Sequence, residues 1–431
     1  MSPDPVNPPG LEPRPDLVRR LFGLRKHFSW KQAFTSLRHP NYRLWFWSQI
    51  VSLFGVWMES TALGFLVFEL TKSPAYLGLV GFMTGIPTWV FMLYAGVIAD
   101  RMPRRTLLMI TQTIMMMLAF AVAALTFLHW IQAWHILVMA FLLGTANAFE
   151  APARQSFVLE MVDPEDMTNA IALNSAMFNA AMAVGPMAGG LTYAFFGPAW
   201  CFAINGLSFI AVIIALKRMK LAPFVPNPRR TSALADLKEG LHYVAAHPLI
   251  RTIIGLIGVV SIFGISFITL FPAWAVNVLH GDARTNGYLQ SARGLGALTA
   301  ALLIASLGRF RFRGKLLTLG TFGLPVTAAL FALARWTPLS LLFIFGSGLS
   351  LILMFNLCNA LVQTHSPDAL RGRVMSVYTL TFFGLMPLGA LGMGLAAERL
   401  GQPTAILAAA GVMLGASTAL AVLMPHLRRQ T

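Results

Sequence analysis

Apolar runs of roughly 20 residues recur along the chain, separated by short polar breaks. A helix rising about 1.5 Å per residue needs about 20 such residues to cross about 30 Å of hydrocarbon. Twelve stretches reach that length, near 43–70, 75–98, 106–128, 134–158, 169–194, 199–216, 250–279, 285–307, 315–334, 338–364, 374–397 and 403–424. Of the 431 residues, 57% are hydrophobic and 11% charged. So few charges cannot cover the exterior of a soluble protein this large, and lipid must solvate most of the surface. The expected fold is all-α, with twelve transmembrane helices.

The net charge of +16 would suggest nucleic acid in a soluble chain. Here the cations sit in short patches between apolar runs, where they encode topology, so no nucleic-acid partner is expected. One set of alternating breaks holds 27 Lys and Arg, the other only Lys72, Arg284, Arg335 and Arg399. This asymmetry predicts a multi-pass inner-membrane protein with both termini cytoplasmic. The first apolar run follows forty-odd polar residues and reads as a retained helix. Ahead of it, residues 1–16 are Pro-rich. Leu17–Leu37 alternates Leu21, Phe22, Phe28 and Phe34 with Arg19, Arg20, Arg25, Lys26 and Lys31. That pattern fits an amphipathic helix on an anionic leaflet or a solvated basic arm.

The one long polar interruption, Lys217–Pro248, carries Pro223, Pro226 and Pro228 and then a helical stretch around Leu234–Ala246. It divides the chain into an arm (1–41), a six-helix bundle (42–216), a linker (217–248), a second six-helix bundle (249–424) and a tail (425–431). Pro164-Glu165 and Pro367-Asp368 lie 203 residues apart, as expected of two six-helix pseudo-repeats.

The break after the second run reads Gly96-Val-Ile-Ala-Asp100-Arg101-Met-Pro-Arg104-Arg105. Glycine permits close helix approach, the acid suits a helix N-terminus, and the arginines can pair with neighbouring helices. The string resembles the cytoplasmic signature of the major facilitator superfamily, with Pro103 where glycine is usual. Five further strings resemble one branch of it, the bacterial exporters related to enterobactin and macrolide efflux proteins. These are Glu69-Leu-Thr-Lys-Ser-Pro74, Phe149-Glu-Ala-Pro-Ala-Arg-Gln155, Asn169-Ala-Ile-Ala-Leu-Asn174, Gly185-Pro186-Met-Ala-Gly189-Gly190 and Glu239-Gly-Leu-His-Tyr243. The resemblance, over roughly 36–425, implies alternating access by rocking of two bundles, energised by an ion gradient, usually protons. It implies that Gly96, Asp100, Arg101, Arg104, Arg105, Glu150 and Arg154 form a conformational latch. A static ion pair of Glu150 and Arg154, at i and i+4, is the alternative.

Gly185 and Gly189 make a small-xxx-small pair, and Pro186 frees a carbonyl and allows a bend. The string resembles an antiporter signature, but Ala181 and Ala172 stand where that signature has further glycines; helix packing alone explains it equally. Glu59 and Arg293 are the deepest charges and therefore candidates for coupling, with a purely structural pair as the alternative. Asn147, Asn174, Asn179, Asn356, Asn359 and Gln363 either line a cavity or link helices. The cysteines, Cys201 and Cys358, and the nine histidines show no metal-ligand spacing. No Gly-rich phosphate loop or catalytic constellation is present, so neither a built-in ATPase nor an enzyme is expected. The expectation is a cofactor-free monomer that exports small amphiphilic molecules, drug- or siderophore-like, against protons and within membrane lipid. An importer or flippase of the same fold is the first rival, and a non-transporting scaffold the second.

Overall fold

A computed structural model describes residues 34–221, 233–307 and 313–423. The basic arm up to residue 33, the linker from Pro223 through Arg230, and Arg309, Arg311, Arg428 and Arg429 lie outside the described residues. So do the side chains of Asp100, Arg313 and Lys315.

The described chain is helical. The first six spans are α1 (Pro40–Thr71), α2 (Pro74–Arg101), α3 (Arg104–Phe127), α4 (Ala133–Phe157), α5 (Met167–Phe196) and α6 (Pro198–Arg218). A short helix, α7 (Ala233–Ala246), precedes the second set. That set comprises α8 (Pro248–Val259), α9 (Phe271–Asn277), α10 (Ala283–Leu307), α11 (Arg313–Leu333), α12 (Thr337–His365), α13 (Arg371–Leu400) and α14 (Gln402–Leu423). Proline opens α1, α2, α6 and α8, where its missing N–H costs nothing and its fixed φ suits the first turn. The two turns from α5 to α6 and from α13 to α14 both reverse at a left-handed glycine, Gly197 (φ 91°) and Gly401 (φ 80°). The same device thus recurs at the same place in each half.

Among the described residues, eleven helical stretches are long and apolar enough to cross a membrane. The remaining span, α10, has the length, but Arg284, Asn286, Gln290, Ser291 and Arg293 lower its hydropathy. Its position, packed along α5 and α12, places it within the bundle all the same.

One span departs from the expected continuous helix. Between α8 and α9 the backbone widens into a π-helix, Val260–Ile265, and then tightens into a 3-10 turn, Ser266–Leu270. Backbone groups freed by such a change need new partners inside a membrane. Ser266 Oγ supplies one by donating to Ser261 O at 2.9 Å and to Met386 O of α13 at 3.1 Å.

Within the first half α1 packs on α5 and α6, α2 on α4, and α3 on α4 and α6. Within the second, α12 packs on α10 and α11, and α14 on α11 and α13. Each half has its own aromatic core. Trp45 stacks edge-on against Phe157 in one, and Trp274, Phe271 and Phe267 surround Phe331 in the other. The halves meet chiefly along α2 with α13 and α5 with α10.

Candidate functional site

Those two contacts run from the end bearing Lys72 to about the middle of the molecule. A Cβ on Gly78 would strike the backbone of Ala390 and Gly394, and one on Gly394 would strike Pro74 and Gly78. Gly85 lies under the ring of Pro387, and Trp89 Nε1 donates to Gly384 O. Along α5 and α10, Gly287 meets Pro186 O and Gly190, while Gly294 meets Met182 and Ala183. Met187 N donates to Ser291 Oγ at 2.9 Å. At the rim, Glu398 Oε2 accepts from Ser73 Oγ at 2.8 Å and from Ala75 N at 3.2 Å. A carboxylate of one half thus caps the N-terminus of a helix of the other, where the orphan N–H groups and the helix dipole favour negative charge.

The same helix faces are bare toward the other end. Eleven residues return a helix to almost the same face, about three turns on. Gly96, eleven past Gly85, would carry a Cβ with nothing within 4 Å. Ala172, Ser175 and Ala176, eleven before Ala183, Pro186 and Met187, are exposed. Ser376, eleven before Pro387, is exposed as well. The halves are sealed at the Lys72 end and parted at the end where residues 34 and 423 lie.

Of the expected latch residues at the parted end, Arg104, Arg105, Glu150 and Arg154 have their described partners within the first half. Arg104 pairs with Glu160 rather than Glu150, because Glu150 lies ten residues, about 15 Å, deeper along the chain. Glu150 is buried and accepts from Gln112 Nε2 at 3.1 Å, with Arg154 Nε 3.8 Å away. Arg105 donates to Lys217 O at 2.7 Å and Met219 O at 3.3 Å, covering carbonyls at the end of α6. Arg101 is exposed.

The two deep charges are not brought together. Glu59 is 8% exposed, and its carboxylate accepts from Asn205 Nδ2 of α6. Asn286 Nδ2 of α10 reaches α1 at another place, donating to the backbone carbonyl of Thr61 at 3.4 Å. Glu59 therefore faces into its own half. Among the described residues, the amides of Asn147, Asn179, Asn356 and Asn359 do not link helices either. Asn147, Asn179 and Asn356 donate to the carbonyls of Leu143, Ser175 and Ile352, four residues back on their own helices. Asn359 accepts from Gln363 one turn on.

In the Gly185-Pro186-Met-Ala-Gly189-Gly190 string the glycines divide their work. Gly185 and Gly189 admit α1 at Trp57 and Met58, whereas Gly190 admits α10 at Ala283 and Gly287.

The chain matches, over residues 31–430, the family described as transmembrane secretion effector. It belongs to that family of the major facilitator superfamily. The enterobactin exporter EntS of Shigella boydii is 27% identical over 364 residues, covering 81% of this chain and 84% of that one. EntS from Escherichia coli O1:K1 gives the same figures. The solved nucleoside transporter NupG superposes with a TM-score of 0.69 at 17% identity, covering 89% of this chain and 99% of that one. A bacterial homologue of the lysosomal transporter Spinster, described as inward-facing and unoccupied, gives 0.64 at 14% identity, covering 93% and 97%. This family member is a multi-pass membrane transporter of small molecules, not an enzyme.

Several residues at the two ends of this transporter escape sequence reasoning, although two lie in or near strings quoted above. Asp166, just before the Asn169 string, accepts from Arg38 Nε at 2.8 Å and pairs with His39 Nε2 at 2.7 Å. It ties the start of α1 to α5. Glu239 and Asp236 of α7 bind Arg373 at 2.5 and 2.9 Å, and Gly240 rests on the Arg373 backbone. That contact docks the linker helix on the second half. Glu398 had no signal, being one acid at a helix end among apolar neighbours.

Proposed function

We propose that this transporter exports small amphiphilic organic compounds, drug- or siderophore-like, by alternating access in exchange for protons. Segments 42–216 and 249–424 move as the two rocking bodies, and 217–248 links them. The supporting observation is that the bodies are sealed at one end and parted at the other along continuous helix faces. A glycine-lined interface can part and re-form because close backbone approach replaces interlocked side chains there. With the positive-inside assignment, which puts both termini in the cytoplasm of a bacterial inner membrane, the parted end faces the cytoplasm. Asn147, Asn179, Asn356 and Asn359 then offer carboxamides to a water-filled cavity that receives the cargo. A carboxamide with no partner on a neighbouring helix suits such a cavity better than lipid. Gly96, Asp100, Arg101, Arg104, Arg105, Glu150 and Arg154 act as the gate on that side, and the transporter works as a monomer in lipid.

Glu59 is the proposed coupling residue, with Glu150 next, as the carboxylates buried within spans at 8% and 6% exposure. The test is dye or drug transport in proteoliposomes under an imposed pH gradient. Glu59→Gln should abolish uphill transport and leave downhill exchange and equilibrium binding intact. Uphill transport at the parent rate would end the assignment to Glu59. The orientation is checked by impermeant thiol labelling of intact cells in a cysteine-free background. Lys72→Cys should label and Arg230→Cys should not, and the reverse pattern would invert the direction of transport.

A further inference from the structure

Arg293 carries a charge that the protein leaves unmatched. Among the described residues its side chain makes no ion pair or hydrogen bond, and its Nε is buried without an acceptor. The faces of α10 show where that side chain lies. Gly287 and Gly294 turn toward α5, and Gly296 and the Arg293 backbone turn toward Phe345, Gly348 and Leu349 of α12. Leu295 and Leu302 are exposed on the far side, about half a turn from Arg293. Asn286 reaches α1 at Thr61, and Arg293, seven residues later, returns to within about 20° of that direction. Gln290 lies between them. Asn286, Gln290 and Arg293 therefore form one polar stripe directed at α1, between the two bodies.

The acids of the neighbouring helices point elsewhere. On α1, Glu59 is turned to Asn205 of α6 and Glu69 accepts from Tyr193 of α5, while Glu150, farther off on α4, is turned to Gln112 of α3. One turn before Thr61 on α1 stands Trp57, packed on Gly185 of α5 and edge-on to Phe178 of α5 with ring centroids 5.7 Å apart. An unpaired guanidinium within a membrane protein is costly to keep, and an anion arriving with the cargo removes the cost each time the site is filled.

Resting on the export reading above, we propose that the cargo is an amphiphilic organic anion. Its carboxylate is recognised by Arg293 and its apolar body by Trp57 and Phe178. The planar fork of the guanidinium suits a carboxylate held through two parallel N–H donors, with Gln290 beside it.

A matched fluorescent set tests this: 1-pyrenebutyrate, 1-pyrenebutanol and 1-pyrenemethylammonium. Each is titrated onto purified protein and followed by energy transfer from tryptophan. The parent should bind the anion about 10- to 100-fold more tightly than the cation. Arg293→Gln should remove that preference while keeping affinity for the alcohol, which also shows that the variant is folded. Arg293→Lys should retain part of it. Cation binding equal to or tighter than anion binding, no binding of the anion, or unchanged anion affinity in Arg293→Gln would each overturn the proposal. Proteoliposome transport separates the two readings. Anion binding with no transport sinks export and leaves the anion site, whereas transport of the cation alone sinks the anion site and leaves export.

Discussion

The two ends of this transporter are built on opposite principles. At the Lys72 end the bodies interlock through bare backbone, glycine against glycine, with one carboxylate, Glu398, capping the partner's helix. At the other end the charges are many, but Arg104, Arg105, Glu150 and Arg154 all find their described partners inside the first body. Close packing without side chains is strong when formed and tolerates no added volume. Ion pairs near water are weak singly and easily exchanged. The sealed end is thus held by shape and the parted end is poised by charge.

The comparison breaks most readily by adding volume. Gly394→Leu should prevent closure of the Lys72 end, lowering transport at least about tenfold, because its side chain would meet the Pro74 and Gly78 backbone. Distances between spin labels at Leu70→Cys and Arg399→Cys should lengthen. Unchanged distances would show that shape does not hold this end. Gly144→Leu is the control, since Gly144 meets Thr84 and Pro87 within the first body. It should lower the melting temperature without changing those distances.

Next in size is the interior of the first body. Asn205→Leu removes the described donor to the Glu59 carboxylate and should cost about 1–3 kcal/mol of stability, read as a lowered thermal midpoint in detergent. Glu59→Gln,Asn205→Leu together should recover part of it. No loss in the single variant would mean that the carboxylate has another donor.

Removing charge from the parted end should be gentler. Asp100→Asn or Arg104→Ala should reduce transport several-fold while leaving expression and equilibrium binding of substrate near parent levels, because these groups bias two states rather than touch cargo. Lost binding with unchanged conformational populations would place them in the cargo site. The smallest effect belongs to Glu398→Gln. It keeps an acceptor at the α2 N-terminus but gives up the charge, worth about 0.3–1 kcal/mol at an exposed helix end. The same spin labels should register a modest rise in the open fraction, and a rise as large as that of Gly394→Leu would overturn the claim that shape dominates.

Much of this was legible in sequence because membrane insertion is a one-dimensional filter. Span positions and the helix at 233–246 follow from hydropathy and proline, since each span must satisfy its own backbone before it meets a neighbour. Even α10, too polar for a simple hydropathy threshold, is marked in the sequence by its length. What sequence could not supply was direction around each helix axis. Glu59 and Arg293 looked like partners because both are deep, yet Glu59 is turned to Asn205 of α6 within its own half. Arg104 and Glu150 both belong to the expected latch, yet Arg104 pairs with Glu160, beyond the end of α4. Depth is written along the chain, whereas azimuth is set when ridges, glycines and kinks of different helices settle together. Tertiary packing alone therefore turned Glu59 inward, left Arg293 unmatched between the bodies, and decided which end of the transporter is shut.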